Sequence, residues 1–371
     1  MRRNRINNSL TSRRKVAKVL SFMAFLSLLV ACSTTSAIPD GEHLYTGMEK
    51  TKYSNYQPNQ HFNDVKGELD VVLATKPNAS WMGSPSVRSP FPVGLWIWNA
   101  FSQDTTSFSR WLVRAFGSTP VLMNSTAPDL HVTVGENLLR KRGYFNGKIT
   151  YEKLAQRNPK KMRLQYSVDM GRLWLLDSIR YVNFPPTADS LIRANLDKAI
   201  IHKGDAFDVS TLEQERKRIT DLFRNNGYYY YQNNDASYLA DTTLTYGLAS
   251  MRLQMADSVS NRVLRKWDIG TITINLQRQF MDSLSRQSRF RDIIVNYNGS
   301  HKPLRLRTIT NDLKIWPGTV YNNELVEKTQ QQFNSSGVFA ATNFAFTPRD
   351  TTDTCSILDM TINCVFDKPY D

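Results

Sequence analysis

The sequence predicts an α+β chain of tandem repeats, each running strand, one or two helices, strand, strand, with the helices on one face of a small sheet. Three observations carry that expectation. The first is self-similarity. "ENLLRKRGYFNGKITY" (136–151), "RITDLFRNNGYYYYQN" (218–233) and "KTQQQFNSSGVFAATNFAF" (328–346) each close a helical pattern on a glycine and an aromatic, as Gly143-Tyr144-Phe145, Gly227-Tyr228-Tyr229 and Gly337-Val338-Phe339. The three glycines lie 84 and 110 residues apart, a domain-sized period with insertions. The second is upstream punctuation: Gly204 stands 23 residues before Gly227, Gly318 stands 19 before Gly337, and Pro120 stands 23 before Gly143. The third is an alternating segment after each glycine: Met162, Leu164, Tyr166 and Val168; Ala249, Met251, Leu253 and Met255; Leu358, Met360, Ile362, Cys364 and Phe366. Period two with one apolar face is the pattern of a half-buried strand.

Taken in order, the repeats occupy 40–172, 173–264 and 265–367. The first carries an insertion at 77–101, with four prolines and Trp81, Trp96 and Trp98. Those tryptophans suit either a membrane-interface belt or packing of the insertion onto its own domain. The second opens on a strand at 177–184 and the third on one at 269–275. In the middle helix Ser210 and Glu213 form a capping box, Leu212, Ile219, Leu222 and Phe223 make one apolar stripe, and Asn226-Gly227 ends it. Glu213, Glu215, Glu324 and Glu327 are expected on exposed helix faces. If the tyrosine run after Gly227 starts a strand, Tyr228 and Tyr230 share one face and Tyr229 and Tyr231 the other. One pair then seals the helix against the sheet, and the other is available to a partner. Cys355 and Cys364 are nine apart; on one strand they fall on opposite faces, unpaired, with Cys364 a small core residue.

The formal charge of +14 suggests an anionic partner until the N-terminus is set aside. Residues 1–31 hold seven of the 47 basic residues and no acidic one, and the remaining 40 basic against 33 acidic residues are dispersed, which excludes a nucleic-acid footprint. That same segment reads as a secretory signal: a basic region, then "VLSFMAFLSLLVA" (19–31), too short to span a bilayer. "LVAC" resembles the bacterial lipobox, with Leu29, Val30 and Ala31 before Cys32, whose thiol would carry the lipid. Cys32 would thus anchor the chain in a lipid bilayer, several acyl chains giving stable attachment where one alone is weak, followed by a linker at 32–39. The residues after it, Ser33 to Ser36, include no acidic cluster resembling a surface-export tag. The periplasmic face of an outer membrane is therefore expected.

No catalytic constellation stands out. His43, His61, His131, His202 and His301 are scattered, and the phosphate-loop, nucleophile-elbow and zinc-protease patterns are absent from the sequence. No enzyme activity, cofactor or metal site is expected.

In this order, the lipobox, the "GYF" and "GYY" joints and the "GDAF" and "PGTVY" turns resemble the POTRA repeats of the BamA/TamA outer-membrane assembly superfamily. "PDGEHLYTG" (39–47) and "KPN…LWIWN" (76–99) are similar to its TamL-type lipoproteins of Bacteroides-like bacteria. The resemblance implies small mixed sheets, clients that are unfolded outer-membrane proteins, and a TamB-like partner anchored in the inner membrane. It also implies a C-terminal barrel, so 368–371 is read as the start of a linker to one. Strand addition to a sheet edge suits such clients, the opening strands of the repeats being the candidate edges unless neighbouring repeats cover them. A rival reading is a surface-exposed lipoprotein, an adhesin or glycan-binding module that uses the tryptophans and tyrosines as its platform.

Overall fold

The structure is a computed structural model and describes residues 34–280, 282–301, 303–350, 352 and 354–368. Leu29, Val30, Ala31 and Cys32 lie outside the described residues. Close packing divides the chain into two compact units, with the boundary between Trp174 and Leu175.

In the first unit, strands β1 (Leu44–Met48) and β2 (Lys52–Ser54) lie parallel to successive parts of β4 (Lys161–Asp169). Strand β3 (Lys148–Ala155) pairs antiparallel with β4 on its other side. Helices α1 (Gln60–Val72) and α4 (Pro128–Lys141) cover the sheet, joining Val65, Leu69 and Leu139 to Tyr45, Leu164 and Tyr166 in one core. The helix approaches the sheet so closely that a Cβ at Gly135 would stand 2.6 Å from Ile149 Cδ1. Between these helices run α2 (Val93–Phe101) and α3 (Ser107–Phe116). The insertion expected at 77–101 therefore extends further, as a pair of helices. The prolines obscured the first of them, yet Pro92 sits at its N-cap, where a missing N–H costs no helical hydrogen bond.

In the second unit, β5 (Leu175–Val182), α5 (Pro186–Arg193), α6 (Val209–Arg224), β6 (Ala236–Asp241) and β7 (Leu248–Met255) follow the expected order, with the sheet running β5-β7-β6. Next come β8 (Asp268–Gln277), a hairpin of β9 (Arg286–Phe290) and β10 (Ile293–Tyr297), α7 (Leu306–Asp312), α8 (Asn323–Ser335), β11 (Phe339–Pro348) and β12 (Ile357–Phe366). This sheet runs β11-β12-β8-β10-β9. Each sheet is mixed: its last strand pairs antiparallel with the strand before it and parallel with the opening strand. The hairpin was not anticipated because β9 is polar up to Phe290 and Arg291, at φ 56°, makes the turn without glycine or asparagine.

Three local expectations are corrected. The N-cap of α6 is Asp208, whose carboxylate accepts from Ser210 N at 2.8 Å and Ser210 Oγ at 2.7 Å; Ser210 and Glu213 do not cap it. Cys355 lies ahead of β12 instead of on it, while Cys364 is fully buried there, and burial pushes its thiol up to about 12. Glu215 is not solvated. Its side chain is wholly buried and accepts from Tyr181 Oη (2.8 Å), Ile200 N (2.9 Å), Arg218 Nε (2.8 Å) and Arg218 Nη2 (2.7 Å). Burial alone would raise its pKa, but these donors outweigh burial and hold it below the ordinary 4.5.

A buried carboxylate with four donors ties β5, the loop at 200 and α6 together, so removing it strands Arg218 and Tyr181. Glu215→Ala should lower the unfolding free energy of the second unit by about 3 kcal/mol in urea titrations. Because the folded pKa is depressed, this contribution is complete above pH 4.5 and fades as pH falls below it. Wild-type and variant stabilities should therefore converge on acidification, and a gap independent of pH would contradict the ionised network.

Candidate functional site

Each second helix ends where the chain must reverse toward a strand, and glycine does this with least strain because it accepts positive φ. Gly143, Gly227 and Gly337 have φ 86°, 102° and 67°. At the first two, the N–H of the following tyrosine reaches back over the helix end: Tyr144 N to Leu139 O at 2.8 Å and Tyr228 N to Phe223 O at 3.1 Å. The third closes differently, with Val338 N donating to Ser336 Oγ at 3.3 Å.

The glycine carbonyl then holds the lead-in to the next repeat. Gly143 O accepts from Trp174 N at 2.9 Å, and Gly227 O accepts from Trp267 N at 2.9 Å. An aromatic ring two or three residues past each glycine meets the same tryptophan edge to face: Phe145 on Trp174 and Tyr230 on Trp267, both at 5.2 Å between centroids. Neither tryptophan was singled out from the sequence. The signal was present, since each stands five residues before an isoleucine of the opening strand, Ile179 and Ile272.

The tyrosine run divides otherwise than strand alternation predicts. Residues 228–231 form a turn, with Tyr231 N donating to Tyr228 O at 3.1 Å, and β6 begins only at Ala236. In a turn, first and fourth residues share a side. Tyr228 and Tyr231 are buried in the core of the second repeat, Tyr231 edge-on to Phe223 at 4.7 Å and Tyr228 hydroxyl to Thr187 Oγ1 at 2.9 Å. Tyr229 and Tyr230 pack on the core of the third repeat, Tyr229 edge-on to Tyr321 at 4.9 Å. No pair is left as a ligand platform. The C-cap Asn225 extends this joint: its side-chain oxygen accepts from Glu324 N and its carbonyl from Asn322 Nδ2, at 2.9 and 2.8 Å, at the start of α8. Phe339, at the third joint, opens β11 and stacks on Phe333 at 5.8 Å.

Of the two opening strands expected as sheet edges, one is an edge and the other is not. The repeated turn before each second helix clips the start of the opening strand, through Tyr45 N to Val121 O (2.9 Å), Leu176 N to Asp205 O (2.8 Å) and Ile269 N to Thr319 O (2.8 Å). The strand expected at 269–275 is no edge, because β10 pairs along it from Ile293↔Ile272 to Asn296↔Asn275. The strand expected at 177–184 is an edge from Ser178 onward, pairing with β7 alone among the described residues. Among the described residues the longest terminal strand is β11, ten residues with no charged side chain ("FAATNFAFTP"), paired on one side with β12. By contrast β3 carries Lys148, Glu152 and Lys153, the charged blunting usual at edges.

No family model matches the chain, and no curated protein matches it. Among solved structures, it is similar to POTRA3-5 of Haemophilus influenzae BamA at 12% identity, over 89% of this chain and 99% of that one, with a TM-score of 0.38. It is also similar to BamA from Haemophilus ducreyi lacking POTRA domains 1-3, at 9% identity over 52% of this chain and 29% of that one, with a TM-score of 0.37. POTRA1-3 of Omp85 from Anabaena is similar at 13% identity over 89% and 98%, with a TM-score of 0.27.

A Cβ at Gly227 would meet Val320 Cγ1 at 2.7 Å and Lys266 Cβ at 3.1 Å, at φ 102°, whereas Gly204, at φ 91°, faces open space. Gly227→Ala should therefore destabilise the second unit by roughly 2 kcal/mol, more than Gly204→Ala, which bears only the backbone strain of about 1 kcal/mol. The double change Tyr229→Ser, Tyr230→Ser should cost about 3 kcal/mol. Hydrogen exchange should show the added loss of protection in β8 and β12. Equal costs at the two glycines, or unchanged protection in the third repeat, would refute this account of the joint.

Proposed function

We propose that this chain is a periplasm-facing outer-membrane lipoprotein, anchored through acylated Cys32, that takes part in the translocation and assembly of outer-membrane β-barrel proteins through POTRA-like repeats. Its clients are unfolded outer-membrane proteins, its second partner is a TamB-like protein anchored in the inner membrane, and its domains follow the boundaries 40–172, 173–264 and 265–367. It is the N-terminal part of a TamL-type protein that continues into a barrel.

One observation carries the client-binding part: the unpaired, uncharged edge of β11, ten residues long. An added strand is held by main-chain hydrogen bonds and makes little demand on client sequence, which suits clients that share only unpaired strands. Such an edge is otherwise an aggregation liability that folded proteins blunt with charge. Support for the lipoprotein part remains the lipobox itself. The adhesin reading has lost its tyrosine platform, since all four rings are engaged in the cores.

A photo-reactive residue at Asn343, exposed on β11, should crosslink to a urea-unfolded barrel protein diluted into buffer, and the crosslink should fall about fivefold in the Ala341→Lys, Ala345→Lys variant. Crosslinking unaffected by the lysines would remove strand addition at this edge. In cells, depletion should lower the folded barrel proteins of the outer membrane, and protease added outside should leave the body intact. Digestion from outside would favour the surface-lipoprotein reading.

A further inference from the structure

Helix α3 has the amphipathic spacing of a surface helix but turns it the wrong way round. Phe108, Trp111, Leu112, Ala115 and Phe116 follow one another at intervals of three, one, three and one, so they line a single face. A surface helix ordinarily buries such a stripe. Here Phe108, Trp111 and Phe116 are 65%, 56% and 59% exposed, and the buried residue of the helix is Ser109. Trp111 touches both of the other rings, at 6.0 Å to Phe108 and 6.0 Å to Phe116, so the three form one continuous apolar surface. Arg110 and Arg114 project from the opposite side of the helix. In the same insertion Trp81, Met82, Phe91 and Val93 are also exposed.

Charge and position indicate what covers this face. Between 77 and 122 the chain has Arg88, Arg110 and Arg114 against a single carboxylate, Asp104. That carboxylate is occupied by Ser109 Oγ at 2.6 Å and Thr106 N at 3.1 Å. A short helix with Trp and Phe on one side, Arg on the other and a net positive charge matches a helix lying in the headgroup region of an anionic bilayer. The hairpin is also fastened to the start of the described chain: Leu95 of α2 packs with Ile38, and Ala37 N donates to Asn99 Oδ1 at 3.0 Å. Ala37 is five residues from Cys32, a reach of at most about 18 Å.

We propose that α3 docks on the phospholipid surface of the membrane as a second attachment beside the N-terminus, its aromatic face in the acyl boundary and its arginines toward anionic headgroups. The location of that surface rests on the proposed acylation of Cys32; the affinity of the helix for lipid does not. The test uses the full chain with vesicles of phosphatidylethanolamine and phosphatidylglycerol whose acyl chains carry bromine, which quenches tryptophan on contact. Wild type should be quenched, and Phe108→Ser, Phe116→Ser should be quenched at least about fivefold less while retaining all seven tryptophans. Trp111→Phe, which keeps the face apolar, should bind as wild type does but lose part of the quenching, so the result does not depend on the serine variant folding. Equal quenching in wild type and both variants, or none in wild type, overturns the proposal. So does a dimer in sedimentation that the serine variant abolishes without any lipid quenching, because the cover is then a second copy. Mass spectrometry of the Cys32 peptide reads the anchor separately. An unacylated chain with quenched Trp111 keeps this proposal and removes the anchor, and an acylated chain with unquenched Trp111 does the reverse.

Discussion

The left-handed glycine at the end of each second helix is the constraint on which the rest of the fold depends. It lets the chain leave the helix sharply enough to place an aromatic over the helix end. At Gly143 and Gly227 it also turns a carbonyl outward, where the tryptophan leading into the following strand donates to it. A residue with a Cβ at Gly227 would have to displace Val320 and Lys266. Within the second unit, the helix end, the aromatic turn and the next opening strand are thus tied to the one backbone conformation at Gly227. Where the second repeat passes into the third, Asn225 adds hydrogen bonds to the start of α8, so one helix end organises the next helix beginning.

This explains why an aromatic-rich run is structural in a chain with exposed aromatics elsewhere. Tyr228 to Tyr231 sit in a turn between two cores, and rings facing both ways are the means of filling both at once. The aromatics of the insertion have no second core to fill. Their helix leaves its apolar stripe in water, a cost that folding alone does not repay and that contact with an apolar surface would.

Sheet edges follow from the same economy of connections. The turn before each second helix clips the start of the opening strand, and in the third repeat the strand β10 covers much of the remainder. What stays unpaired is the strand after the joint, and in β11 that strand is long and uncharged. In the third repeat the opening strand is interior and the uncharged edge is β11, whereas in the second repeat the opening strand β5 is itself an edge.

Much of this was legible in the sequence because it is local. Glycine before an aromatic, alternation in 358–366 and helical stripes such as Leu212, Ile219 and Phe223 depend on neighbours a few residues away, and hence on periods of two and 3.6. Strand β9 is largely polar and the first helix of the insertion follows a run of prolines, so the hairpin at 286–297 and that helix escaped a reading by periodicity. Glu215 looked solvated because its spacing on α6 says nothing of Tyr181 or the loop at Ile200, which arrive from elsewhere in the chain. The sequence by itself determined the repeated order of elements, the apolar faces of the alternating strands β4, β7 and β12, and the glycine ends of the second helices. Only the tertiary structure decided which edge is free, which tyrosines meet which core and which carboxylate is buried, because each depends on segments that the chain brings together from a distance.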